Sequence, residues 1–174
     1  TDNRRQRQMC IRDSSWACLT KGWKLIDANS EDISEGVVME GPGLNSDDWL
    51  VLIAARDSRK DRPQLEDFTP MYGEFEKALI ALQQGELLNC ITINGRAMCS
   101  VTNDLQGRKI SNDAFLNGAR SSGMSGSGPA IVIIVPSLLQ DSVTRIKSAL
   151  LRLMPDNQII ETKFLSMDSD ELEM

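Results

Sequence analysis

Ala130-Ile131-Val132-Ile133-Ile134-Val135 is an unbroken apolar run closed by Pro136. It is the strongest strand signal in the chain. Trp49-Leu50-Val51-Leu52-Ile53-Ala54-Ala55 has the same character. Runs this short, rich in Val and Ile, predict strands buried within a sheet.

The segments around these runs predict what covers them. Phe75, Leu79 and Leu82 recur at helical spacing between Pro70 and Gly85. Pro suits a helix start and Gly a helix stop. A second helix is expected from about Glu86 to Val101, with Leu88, Ile91 and Met98 on one face. Gly95 lies inside it, where Gly costs about 1 kcal/mol relative to Ala. That predicts a close contact with a helix or the sheet; room for a substrate is the alternative. A third helix is expected from about Ser111 to Arg120, with Ser111, Asn112 and Asp113 supplying the cap. Ser137 to Gln140 has capping-box spacing, and Leu139, Val143, Ile146, Leu150 and Leu153 mark an amphipathic helix beyond it. Ile160, Thr162 and Phe164 alternate with charged residues, as in a half-buried strand. Asp168 to Met174 is acidic and expected to fray. The order strand, helices, strand, helix, strand predicts an α+β fold. A ferredoxin-like two-layer sandwich over residues 49–174, with helices on one face of a mainly antiparallel sheet, fits it best.

Residues 1–48 are less regular. Trp23 to Ile26 and Gly36 to Met39 read as short strands around an acidic turn, Asp27 to Asp32. Gly41-Pro42-Gly43 then punctuates the chain. An irregular, hairpin-bearing extension from a preceding domain is expected here. The chain opens at Thr1 without methionine, which we read as a fragment or a processed chain.

There is no histidine. Ser-His-Asp and Cys-His catalysis are therefore excluded, and so are His/Cys metal sites. Chemistry falls to carboxylates, Lys and Arg, backbone amides or a bound metal ion. Cys10, Cys18, Cys90 and Cys99 form no CxxC pair, so reduced thiols in a cytoplasmic protein are expected. A net charge of -6 argues against a nucleic-acid partner. No apolar run approaches the roughly 18 residues of a membrane span.

We read Gly123-Met124-Ser125-Gly126-Ser127-Gly128-Pro129 as the functional element of the chain. Glycine serves where φ is positive or where something approaches the backbone. Successive exposed amides form an anion-binding concavity, and the Ser125 and Ser127 hydroxyls add donors. An equally good reading is a helix cap at Gly123 with a tight lead into the strand. No Lys follows the last glycine, so it is not a phosphate loop of the Walker type. Position 131 is Ile, which excludes a dinucleotide fingerprint. Ser127 occupies the place of a required glycine, which excludes a nucleophile elbow.

Met124-Ser125-Gly126-Ser127-Gly128-Pro129-Ala130 followed by an apolar strand resembles the third motif of the GHMP small-molecule kinases. Within that superfamily the archaeal-type shikimate kinases look most similar. Thr1-Asp2-Asn3, Asn94-Gly95 and Gly118-Ala119 match their pattern, and the likeness spans about residues 49–165. Homoserine kinases carry a very similar Ser-Gly-Ser-Gly-Pro.

The resemblance implies that Ser125, Gly126, Ser127 and Gly128 border the nucleotide phosphates. It sets Asn3, Asn94 and Gly123 near the substrate, with ATP and Mg²⁺ as cofactors and a small hydroxylated acid as substrate. The family's Gly-Leu-x-Ser-Ser-Ser phosphate motif is not in these residues, and its catalytic aspartate is expected upstream of Thr1. No residue here is assigned to the metal. The chain alone is then an inactive part of a kinase, whose inter-domain face favours homodimers of the fragment. A non-catalytic ligand-binding or regulatory domain is the second reading; a module that completes another chain is the third. Arg56, Arg59, Lys60 and Arg62 form a basic loop, more often solvated than a seat for a carboxylate or phosphate. Trp16, Trp23 and Trp49 are expected to pack.

Overall fold

The computed structural model describes residues 22–27, 30, 32, 35–57, 63–126 and 128–165. Asn3, Ser127, Cys10, Cys18, Trp16, Arg59, Lys60, Arg62 and the acidic tail lie outside these residues. The chain divides into two compact units, residues 1–46 with 164–174, and residues 47–163.

In the first unit, strand β1 (Trp23–Ile26) pairs antiparallel with β2 (Val37–Gly41). Lys24 faces Glu40 across this ribbon, and their side chains meet at 2.7 Å.

The second unit is α+β. Strand β3 (Trp49–Ala54) leads into a short helix α1 (Leu65–Phe68), a 3-10 turn (Thr69–Met71) and helix α2 (Tyr72–Gln83). Helices α3 (Leu87–Val101) and α4 (Leu105–Leu116) follow, then strands β4 (Ser121–Met124) and β5 (Ile131–Pro136). Helix α5 (Gln140–Leu153) and strand β6 (Ile159–Thr162) complete it. The sheet order is β4-β5-β3-β6, antiparallel throughout. This is the ferredoxin-like sandwich with extra helices in its first crossover.

Register explains the core. Leu50, Leu52 and Ala54 stand opposite Val135, Ile133 and Ile131. All six face one way, and the helices bring Met98, Cys99, Ile110, Ala114, Val143, Ile146 and Leu150 against them. Leu52, Ile131, Ile133 and Val135 are 0% exposed. Each buried aliphatic side chain contributes about 1.5–3 kcal/mol.

Several elements differ from their sequence expectation. The helix start expected at Pro70 lies further on, at Tyr72, because Pro70 sits in the 3-10 turn that follows α1. Ala78 and Ala81 form the buried face of α2, while Leu79 is exposed. Helix α4 begins at Leu105, not Ser111, since Asp104 caps it by accepting the Gly107 amide at 2.8 Å. Ser111 is therefore mid-helix and buried, and Arg120 lies beyond the helix end. No capping box forms at Ser137; Gln140 Nε2 instead donates to the Ser137 carbonyl oxygen at 2.8 Å. In β6 it is Ile159 that packs on the core and Ile160 that is exposed. Edge position and register against β3 decide that, rather than the alternation.

Candidate functional site

Strand β4 was not legible as a strand. Ser121-Ser122-Gly123-Met124 lacks β-branched residues, yet all four are buried. Small side chains here let two helices approach. Ser121 Oγ donates to the Leu88 carbonyl oxygen at 2.9 Å and lies 3.0 Å from Thr92 Oγ1, both on α3. Ser122 Oγ donates to Ser111 Oγ of α4 at 3.1 Å. These bonds satisfy hydroxyls that would otherwise be costly to bury.

Gly95 and Gly123 meet at the closest point. A Cβ on Gly95 would fall 2.7 Å from the Met124 backbone nitrogen. One on Gly123 would fall 2.7 Å from Gly95 Cα and 2.9 Å from the Ile91 carbonyl oxygen. Gly95 is thus a helix-sheet contact, as its position inside α3 suggests. Gly123 has its near space filled by α3 rather than open to a ligand. Asn94, next to Gly95, is exposed.

The glycine-rich segment is a hairpin turn joining β4 to β5, so it does not follow a helix directly and Gly123 is not a helix cap. Ser125 N–H donates to the Ala130 carbonyl oxygen at 2.9 Å, and Gly128 N–H to the Ser125 carbonyl oxygen at 2.8 Å. Gly126 and Gly128 take positive φ, 53° and 76°, and the Gly128-Pro129 peptide is cis. Such φ values favour glycine. A Cβ on Gly128 would strike Met124 Sδ at 2.6 Å, whereas one on Gly126 would meet nothing within 4 Å among the described residues. The hairpin therefore has a packed side at Gly128 and an open side at Gly126. The Ser125 and Gly128 amides are occupied within the turn. The Gly126 amide makes no backbone bond among the described residues.

Arg56 holds this hairpin from beneath. Its side chain is only 7% exposed. Nε donates to the Pro129 carbonyl oxygen at 2.8 Å, and Nη1 to Asp104 Oδ1 at 3.0 Å. Nη2 also meets Asp104 Oδ2. The fork thus ties the end of β3 to the cap of α4 and to the hairpin. Its carboxylate is internal, so Arg56 is neither solvated nor free for a ligand.

Cys99 lies near this ion pair and is 1% exposed. Burial, and secondarily the Asp104 carboxylate, push its thiol up to about 11 despite Arg56 and Arg108. Burial also raises the Cys90 thiol. Both cysteines are free and neither is poised as a nucleophile. Among the described residues no group of three His, Cys, Asp or Glu side chains is placed to hold a metal ion, and no helix is long and apolar enough to cross a membrane.

Sequence reasoning singled out the glycine-rich segment, read it as a loop after a helix rather than a hairpin, and missed its clamp. Arg56 was visible as part of a basic loop; its partners, Asp104 and the Pro129 carbonyl, are 48 and 73 residues away.

No family model matches the chain, and no curated protein does. Solved structures with a similar fold include the homoserine kinase of Cytophaga hutchinsonii, at 19% identity and TM-score 0.48, covering 86% of this chain and 50% of that one. The mevalonate kinase of Staphylococcus aureus MRSA252 is 14% identical with TM-score 0.48, covering 72% and 45%. A putative homoserine kinase of Listeria monocytogenes is 17% identical with TM-score 0.44, covering 74% and 45%. The chain spans about half the length of these proteins. Likenesses this distant assign no activity to it.

Proposed function

We propose that this chain is the C-terminal part of a GHMP-type small-molecule kinase, cytoplasmic, acting on shikimate. The observation that carries the reading is the conformation of the Met124-to-Ala130 motif. It forms a hairpin in which a Cβ on Gly126 would meet nothing within 4 Å, and the Gly126 amide makes no backbone bond, among the described residues. A backbone donor beside serine hydroxyls suits phosphate oxygens. Anchoring by Arg56 and by Gly128 against Met124 keeps the donor preorganised.

Phosphoryl transfer needs positioning and charge neutralisation more than covalent help, so a chain without histidine suits it. ATP supplies the phosphoryl group, and Mg²⁺ neutralises its charge when bound. In this reading Gly126, with Ser125 and Ser127, orients the phosphates from one wall. Gly128 sets the turn. Asn94, exposed on α3, and Asn3 remain proposed substrate contacts; Gly123 acts through packing. In this reading no residue of this chain is assigned to the opposite wall, with its catalytic aspartate and Mg²⁺ ligands.

Homoserine is the alternative substrate, because homoserine kinases carry a very similar Ser-Gly-Ser-Gly-Pro string. ADP release by the full-length protein tests both acids side by side. Shikimate-dependent ADP formation is expected, with none from the isolated chain. Turnover by the isolated chain would overturn the divided site, and homoserine-only turnover would replace the substrate. Inactivity with every small hydroxylated acid would overturn the kinase reading.

A further inference from the structure

A cleft of about 390 Å³ opens among the 3-10 turn, α2, α3 and α4. The Gly126 hairpin does not line it. Its volume suits a small metabolite. Its floor is made of small residues, Ala97, Cys99 and Ser111, each no more than 2% exposed. These leave the room that larger side chains would fill.

Two arginines and one carboxylate line it. Arg96 and Arg108 both line the cleft. Arg96 is held over the Phe115 ring, its guanidinium carbon 5.2 Å from the centroid. Neither guanidinium forms an ion pair among the described residues. Glu74, the lining carboxylate, is engaged by Lys77 at 2.7 Å. Cys99 is uncharged at neutral pH, since its thiol titrates at about 11. The floor therefore adds no negative charge and no nucleophile. Ser111 Oγ accepts the Ser122 hydroxyl hydrogen, so its own hydrogen remains for donation. Two exposed guanidiniums without an ion pair among the described residues, at the rim of a cleft with a neutral floor, suit the planar, bidentate recognition of an anion.

We propose that this cleft binds a small dianion, a phosphate monoester or a dicarboxylate, bridged by Arg96 and Arg108. The binding site stands apart from the glycine hairpin and does not depend on the kinase reading. A single negative charge would leave one guanidinium unmatched, so dianions are favoured over monoanions.

The full chain, labelled with ¹⁵N, is titrated with glycerol 3-phosphate, with succinate and with acetate at pH 8. The expected result is saturable shifts at the Ala97, Ser100 and Asn112 amides for at least one dianion, at concentrations below about 10 mM. Saturation by glycerol 3-phosphate alone assigns phosphate esters, and by succinate alone dicarboxylates. Arg96→Ala and Arg108→Ala are each expected to weaken binding roughly tenfold or more. Arg152→Ala, an equal loss of charge at the end of α5, is expected to change it less than twofold. Localisation of the shifts reads the wild-type chain, so it decides even if an arginine variant unfolds. Shifts that do not saturate, that centre on Gly126, or that match those from acetate would overturn the proposal. So would equal affinity in the folded arginine variants.

Discussion

Arg56 is the residue on which the hairpin's position turns. Replacing it with Ala strips donors from the Pro129 carbonyl and leaves the Asp104 carboxylate, 16% exposed, without its fork. Removing one member of a buried pair costs about 3 kcal/mol or more. Urea denaturation of Arg56→Ala is expected to show a loss of that size, with Arg56→Lys recovering only part, since an ammonium cannot reproduce the planar fork. A loss within about 0.5 kcal/mol, ordinary for surface changes, would show the clamp to be incidental. Cys99 offers a second residue-scale check. Its thiol is raised in the folded chain, so the folded state holds its proton more tightly than the unfolded state does. Its contribution is complete below the unfolded thiol range, near roughly pH 8.5, and is lost as pH rises towards about 11. Alkylation at pH 8 followed by peptide mapping is expected to spare Cys99 until denaturant is added.

At the scale of elements, α3 and β4 are joined by the Gly95-Gly123 contact. Gly95→Ala places a methyl against backbone that cannot swing aside. Overpacking of this kind costs about 1–3 kcal/mol. Gly73, in α2, has nothing within 4 Å of its would-be Cβ, so Gly73→Ala is expected to stabilise by about 0.5–1 kcal/mol. Opposite signs for two Gly→Ala changes in neighbouring helices, read from thermal melts, check the packing directly. The same pair shows what was legible. Gly95 announced a close contact because glycine is poor inside a helix. Its partner was hidden, because Ser-Ser-Gly carries no strand signal of its own. Strands β3 and β5 declared themselves through apolar runs. Strand β4 exists because two helices need small, hydroxyl-bearing neighbours, which is a property of the packing. Helix α4 was placed late for a related reason. Asp104 caps it, but Ser111-Asn112-Asp113 imitate a cap more strongly in sequence.

At the scale of the molecule, the α+β class was readable from strand and helix succession, though one of the four strands of its sheet, β4, was not. The hairpin was readable as a special backbone, though not which of its glycines faces open space. Tertiary contacts settled that: Gly128 is pinned against Met124 and Gly126 is open. The two glycines are therefore not equivalent probes. Gly128 substitutions disturb the fold, while Gly126→Val adds bulk where nothing packs among the described residues, at the strain of a β-branched residue at positive φ, about 2 kcal/mol or more. The most direct measurement of the central claim is steady-state ADP release by the full-length protein, wild type against Gly126→Val, with melting curves alongside. The proposed phosphate wall predicts a fall in kcat/KM for ATP of roughly a hundredfold, because the valine side chain keeps the phosphates from an amide donor that the substitution leaves in place, in a protein that remains folded. An unchanged kcat/KM in the folded variant would contradict it and leave the hairpin as a turn alone.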